Sequence, residues 1–189
     1  MPNWCYTTYH IKGPKESVEK VKSMLDELKN MDKPRIENGF GKLWLGCIVD
    51  YLGGDWQKIE CRGSVEDYEL ESDTCLRMNT EIAWAESPSF RHFLEEKIPH
   101  ITITHYSEEP GCAGYWTNDP DYPDKYYLDS CLSDIDSEYF GSLKEAADYL
   151  AQYGIKAEPT FESISDAVDE YSEEQDEYFS FHEIEYIDD

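Results

Sequence analysis

Residues 4–106 change hydrophobic period in a fixed order, and that order restricts the fold more than any other feature of the chain. Residues 4–11 set Cys5, Thr7, Tyr9 and Ile11 against Trp4, Tyr6, Thr8 and His10. This two-residue alternation of aromatic and β-branched types predicts a strand that stops at Gly13-Pro14. In residues 14–30, Val18, Val21, Leu25 and Leu28 recur at helical spacing, and Pro14 suits a first turn because its missing N–H would have no partner there. Residues 59–70 and 75–84 read as a hairpin about the turn Glu71-Ser72-Asp73-Thr74, with Leu76, Met78, Thr80, Ile82 and Trp84 on one face. The alternation of Ile59, Cys61 and Val65 slips before Tyr68, which predicts a bulge near Glu66. Ser87-Pro88 supplies an N-cap and a first-turn proline to a second helix, with Phe90, Phe93, Leu94 and Ile98 inward and an end at Pro99. Residues 100–106 then alternate as a strand.

Strand, helix, strand, strand, helix, strand is the order of the split βαβ, ferredoxin-like arrangement. The fold class is therefore α+β, with residues 1–110 as a ferredoxin-like domain. Residues 31–58 break the pattern and read as an insertion, in which Trp44, Cys47, Ile48, Tyr51 and Leu52 form a short helix closed by Gly53-Gly54. Residues 111–189 form an acidic α+β extension, expected to pack on the first sheet as one structural unit. It begins with strands at 112–117 and 125–131, read as a second hairpin. A helix capped by Ser142 and Glu145 follows, with Leu143, Ala146, Ala147 and Leu150 inward. A further helix turns Phe161, Ile164, Val168 and Tyr171 inward, and residues 178–187 close the chain as a strand.

Charge is unevenly spread. Residues 1–106 carry 13 Lys and Arg against 18 Asp and Glu, whereas residues 107–189 carry 3 against 24, which together give the net charge of -26. Such a surface repels nucleic acid phosphate and anionic lipid, so direct binding to either is excluded and a charge-driven partner should be a basic protein surface or a cation. The acidic part is not a disordered tail, because Tyr115, Trp116, Tyr126, Tyr127, Tyr139, Phe140, Phe179 and Phe181 are interleaved with its acids and offer large areas for burial. No basic segment followed by an apolar stretch opens the chain and no run of about 18 apolar residues occurs, which points to the cytoplasm and away from the membrane. Cysteines 5, 47, 61, 75, 112 and 131 stand singly without a C-x-x-C pair, and read as free, buried thiols rather than zinc ligands.

The opening Met1-Pro2-Asn3-Trp4-Cys5, with its strand ending at Ile11-Lys12-Gly13, resembles the N-terminal signature of the YubB-like family of ferredoxin-like domains. Two later stretches agree in order: Ala83-Trp84-Ala85-Glu86-Ser87-Pro88 is similar to that family's Ala-Trp-Ser-Pro-Pro segment, and 106–111 with Gly114 to its Tyr-x-Glu-x-Gly turn. Thr7 stands where the family has Asn, and a single proline, Pro88, where it has two. The resemblance covers about the first 115 residues. It implies the fold and a setting on bacterial plasmids, phages or integrated elements, and it names no activity or substrate.

Candidate site residues fall in two places. Trp84, His105, Glu108, Glu109 and Gly111 could gather at one end of the first sheet, as an indole beside an acid/base cluster. Against this, strand indoles such as Trp4 and Trp84, with Cys5, ordinarily fill the space between sheet and helices, and Glu108-Glu109-Pro110-Gly111 reads first as a solvated turn. On the last helix Glu162, Asp166, Glu170 and Glu174 recur at i, i+4, with Asp169 and Glu173 in the neighbouring row, a face suited to a basic partner or to imitating DNA. The same pattern is also that of a solvated helix face. The acids Asp119, Asp121, Asp124, Asp134, Asp136 and Glu138 lack the register of a calcium loop, so no metal is assigned. No nucleophile motif and no glycine-rich phosphate loop is present, and no cofactor is implied. The chain reads as a non-catalytic interaction module of a mobile element. The alternatives are an acidic DNA mimic that inhibits a basic nucleic-acid-binding protein, and an enzyme with a site near Glu108 and Trp84.

Overall fold

The alternating segment at the front forms strand β1 (Trp4–Lys12), and the amphipathic segment after it forms helix α1 (Lys15–Asn30), whose Val18, Val21, Leu25 and Leu28 are all buried. A computed structural model describes residues 3–188 of the chain. The protein is mixed α+β and divides into two compact units, Met1–Gly114 and Tyr115–Asp189.

In the first unit α1 is followed by α2 (Leu45–Tyr51), β2 (Gly63–Ser72), β3 (Cys75–Ala83), α3 (Pro88–Lys97) and β4 (Thr102–Glu109). The four strands lie in the order β2-β3-β1-β4 and every neighbouring pair is antiparallel. Each helix therefore connects two parallel strands that have a third strand between them, which interleaves two strand-helix-strand units. Apolar residues of α1, α2 and α3 share one core with the inward positions Tyr9, Ile11, Leu76, Met78, Ile82 and Ile103 of the sheet. Burying each Leu or Ile of this set stabilises by about 1.5–3 kcal/mol. The segment read as an insertion belongs to this core through Leu45, Cys47, Ile48 and Val49.

Several local expectations hold. Ser87 Oγ accepts from the backbone N–H of Phe90, Pro88 occupies the first turn of α3, and the β2–β3 register shifts between Val65 and Asp67, placing the bulge at Glu66. Others are corrected. Strand β2 starts at Gly63 rather than Ile59, because the backbone of Glu60 is taken by α3: its N–H donates to Ser89 Oγ at 3.0 Å and its carbonyl accepts from Ser87 Oγ at 2.7 Å. A Cβ on Gly63 would lie 2.0 Å from the carbonyl oxygen of Glu81, so only glycine lets the strand begin there. The turn of this hairpin is Asp73-Thr74 alone, since β2 runs through Ser72. Strand β4 continues past Tyr106 to Glu109, where a single 3-10 turn, Pro110–Cys112, ends it.

The second unit holds β5 (Gly114–Thr117), β6 (Tyr126–Ser130), β7 (Glu138–Phe140), α4 (Leu143–Ala151), α5 (Phe161–Gln175), β8 (Phe179–Glu183) and β9 (Glu185–Tyr186). The expected second hairpin is not formed. Strand β5 pairs in parallel with β9, and β6 lies between β7 and β8, antiparallel to both. The closing strand is divided at Ile184, whose N–H donates to the carbonyl of Lys125 and whose side chain is buried. Leu128, Phe140, Phe179 and Phe181 form this unit's core with Ala146 and Leu150 of α4 and Ile164 and Val168 of α5. Ser142 caps α4 by accepting from the N–H of Glu145, while the Glu145 carboxylate accepts from Gly141, one residue earlier than in a standard capping box. Phe161, read as inward, is exposed.

All six cysteines are free, and Cys112 and Cys131 are exposed rather than buried. Among the described residues no helix is long and apolar enough to cross a membrane.

Candidate functional site

Helix α5 starts at Thr160, whose hydroxyl accepts from the N–H of Ser163, and it ends at Asp176 in a left-handed conformation. Its buried stripe is narrow, Ile164 and Val168, so most of its circumference faces water. Glu162, Asp166, Asp169, Glu170, Glu173 and Glu174 are all exposed, and among the described residues none of them pairs with a Lys, Arg or His within 4.0 Å. Asp169 is still close enough to His182 to favour its charged form, although burial dominates and lowers the His182 pKa. Like charges at i, i+4 repel, and Glu173 and Glu174 lie near the negative end of the helix dipole. The face therefore costs the helix stability.

The residues proposed as one cluster at the end of the first sheet are separated by the pleat. Ile103, His105, Ser107 and Glu109 point to the buried side of β4, whereas Glu108 points to the other side, opposite Tyr6. Glu109 is only 3% exposed, so it is not a solvated turn residue. Trp84 is the clearest correction. Strand β3 stops at Ala83, the backbone of Trp84 turns to φ 77°, and the indole is 54% exposed instead of filling the core. The backbone N–H of Trp84 donates to the carbonyl of Asn3 at 2.9 Å, which holds the turn. Cys5 is buried as expected, and burial pushes its thiol up to about 11.

Two shallow cavities adjoin this end of the sheet. One, of about 320 Å³, is lined by Asn3, Trp4, Tyr6, Glu109, Pro110 and Gly111; neither Trp84 nor His105 lines it. A Cβ on Gly111 would stand 2.9 Å from Glu109 Oε1 and 3.0 Å from Asn3 Nδ2, so glycine lets that carboxylate and amide come together. The other, of about 330 Å³, lies on the open face of the sheet and includes Tyr6, Thr8, Glu66, Asp67, Asn79 and Glu108.

A buried polar chain, absent from the sequence-based expectations, lies under the helices. Glu86 Oε1 accepts from the Tyr9 hydroxyl at 2.9 Å and from Arg91 Nε at 3.2 Å, and Glu86 Oε2 stands 4.0 Å from His105 Nε2. His105 Nδ1 lies 2.9 Å from Ser107 Oγ, which lies 2.9 Å from Thr7 Oγ1. The Tyr9 hydroxyl is pushed well up by burial and by Glu86. One signal was available in the sequence: Thr7 and Tyr9 on one strand, His105 and Ser107 on another, all at inward positions and, as the register shows, directly opposite each other. Every member is buried, so the chain positions α3 on the sheet and offers no surface to a substrate. Among the described residues no group of three or more His, Cys, Asp or Glu could hold a metal ion.

Compared with family models, with curated proteins and with solved structures, the chain matches none.

Proposed function

We propose that this chain is a non-catalytic interaction module of the bacterial cytoplasm, encoded by a mobile element, whose acidic α5 face docks on the basic surface of a partner protein. The observation that carries this reading is that Glu162, Asp166, Asp169, Glu170, Glu173 and Glu174 are all exposed, with no Lys, Arg or His paired to them among the described residues. From Glu162 to Glu174 the helix rises about 18 Å, which makes one charge per roughly 3–4 Å, close to the spacing of about 3.4 Å per charge along one DNA strand. That density favours, as the specific form of the proposal, a DNA mimic that occupies the basic cleft of a nucleic-acid-binding protein. The strand order β2-β3-β1-β4 with antiparallel neighbours supports a ferredoxin-like reading of the first unit, and with it the resemblance to YubB-like domains.

The test is capture from a bacterial lysate by the immobilised chain, alongside a variant in which the six acids become Gln or Asn. Partners should elute as salt rises, be displaced by duplex DNA, and be missing from the variant. Equal capture by the variant would remove the α5 face from the account.

A further inference from the structure

Of the chain's five asparagines only Asn38 is followed by glycine. It stands in the loop between α1 and α2, and its amide is held at both ends. Nδ2 donates to the carbonyls of Ile36 at 2.7 Å and Gly41 at 3.2 Å and lies 3.7 Å from Cys47 Sγ, while Oδ1 accepts from the Phe40 N–H at 2.6 Å. The same two carbonyls face the buried Cys47 thiol of α2, whose Sγ lies 3.9 Å from that of Ile36 and 4.0 Å from that of Gly41. The loop is thus closed on itself against Cys47, with Ile36 and Leu43 packed on the first unit's core. Gly39 is exposed, a Cβ there would meet nothing within 4 Å, and among the described residues its N–H donates to nothing.

We propose that Asn38-Gly39 is a deamidation site, and that turning Asn38 into a carboxylate frees this loop from α2 and uncovers Cys47. The backbone nitrogen of Gly39 attacks Asn38 Cγ. The new N–Cγ bond closes a five-membered imide as the Cγ–Nδ2 bond breaks, and Nδ2 leaves as ammonia with the Gly39 proton. Water then opens the imide to aspartate or its β-linked isomer, so water is the only co-reactant. The Phe40 N–H on Oδ1 stabilises the charge that develops on that oxygen during the attack. Gly39 puts no side chain in the way of its own nitrogen. The carbonyls of Ile36 and Gly41 accept and cannot give the departing nitrogen a proton, so they hold it in place until the loop loosens. The product cannot resume the old position: a carboxylate donates nothing, and it would meet both carbonyls oxygen to oxygen. The site lies wholly within the first unit and does not depend on the reading of α5.

The experiment is incubation of the full chain in warm, mildly alkaline buffer, followed by peptide mapping with mass spectrometry. Aspartate and its β-linked isomer should accumulate at position 38 well ahead of every other asparagine, and about tenfold faster in urea, where the two carbonyls no longer hold Nδ2. Gly39→Ala, for which the space around Gly39 leaves room, should slow the reaction by about tenfold and leave the fold intact. Asn38→Asp, made directly, should raise the rate of Cys47 alkylation by about tenfold and leave unchanged that of Cys5, which is buried on β1. An Asn38 that stays intact, equal rates in buffer and urea, an undiminished rate with Gly39→Ala, a Cys47 as protected in Asn38→Asp as in the parent, or a Cys5 that opens together with it would each overturn the proposal.

Discussion

Arg91 Nε stands 3.2 Å from Glu86 Oε1, and the two side chains are 3% and 2% exposed. Glu86 precedes the cap of α3 and Arg91 lies within it, while Tyr9 of β1 shares the same carboxylate oxygen. The pair thereby ties the helix to the centre of the sheet. Removing one partner leaves the other charge buried without this counter-charge, which costs about 3–5 kcal/mol, whereas replacing both by apolar residues of similar volume is far milder. In urea denaturation Glu86→Leu and Arg91→Met should each lower stability by that amount, and the double variant should recover most of the loss. Additive losses would show that the two do not act as a pair.

His182 gives the second unit a dependence on pH. Its ring lies 4.7 Å from that of Tyr115, and burial lowers its pKa below the ordinary value of 6.5, outweighing the opposite influence of Asp129 and Asp169. A histidine with a depressed folded-state pKa takes up its proton more readily when unfolded. Stability is therefore intact above about pH 6.5 and falls as pH drops from there to the folded-state value. The His182 ring signals should titrate with a midpoint below 6.5. His182→Gln should remove the part of the loss that falls in this window. A midpoint above 6.5 would mean that the two carboxylates prevail.

Helices were legible where the signal is local. The stripe of α1 and the Ser87-Pro88 start of α3 need only neighbouring residues, and both occur as read. Pairing is decided by residues far apart, and there the sequence misled. Residues 112–117 and 125–131 look like a hairpin, but β5 finds β9 and β6 finds β7 and β8. Strand β7 has three residues and shows no period at all. Glu108 and Glu109 lay beyond the visible alternation, yet β4 continues because Ser107 and Glu108 still have Thr7 and Tyr6 to pair with. Of the candidate sites, the α5 row could be read from spacing alone, since exposure follows from the narrowness of the apolar stripe. The Glu86–Arg91 pair could not, because a buried charge looks like a surface charge until its partners are known.

Trp84 extends the alternation of β3 by one position in sequence and departs from it in space. Its φ of 77° lies in the left-handed region, where a side chain with a Cβ costs about 1–2 kcal/mol. Because the indole is more than half exposed, truncating it should forfeit little packing. Trp84→Gly and Trp84→Ala lose the same ring, so the difference between them isolates the backbone. Gly should be the more stable by about 1 kcal/mol in chemical denaturation, the reverse of the ordinary order within a strand. An advantage for Ala would show that the turn at Trp84 relaxes at little cost.

The acidic face of α5 should make the chain less stable in dilute buffer than its core requires. Glu162 and Asp166, Asp166 and Glu170, Glu170 and Glu174, and Asp169 and Glu173 are each four residues apart on exposed positions. Each such like-charged pair costs about 0.2–0.5 kcal/mol, a penalty that salt screens. The melting temperature should therefore rise between about 0.02 M and about 0.5 M NaCl, as the Debye length shrinks to a few ångströms. Asp169→Asn with Glu173→Gln and Glu174→Gln should raise the melting temperature in dilute buffer and flatten its salt dependence. The same substitutions should weaken capture of a basic partner, so that stability and binding move in opposite directions. A variant no more stable than the parent at low salt would show that this row bears no repulsion for a partner to relieve.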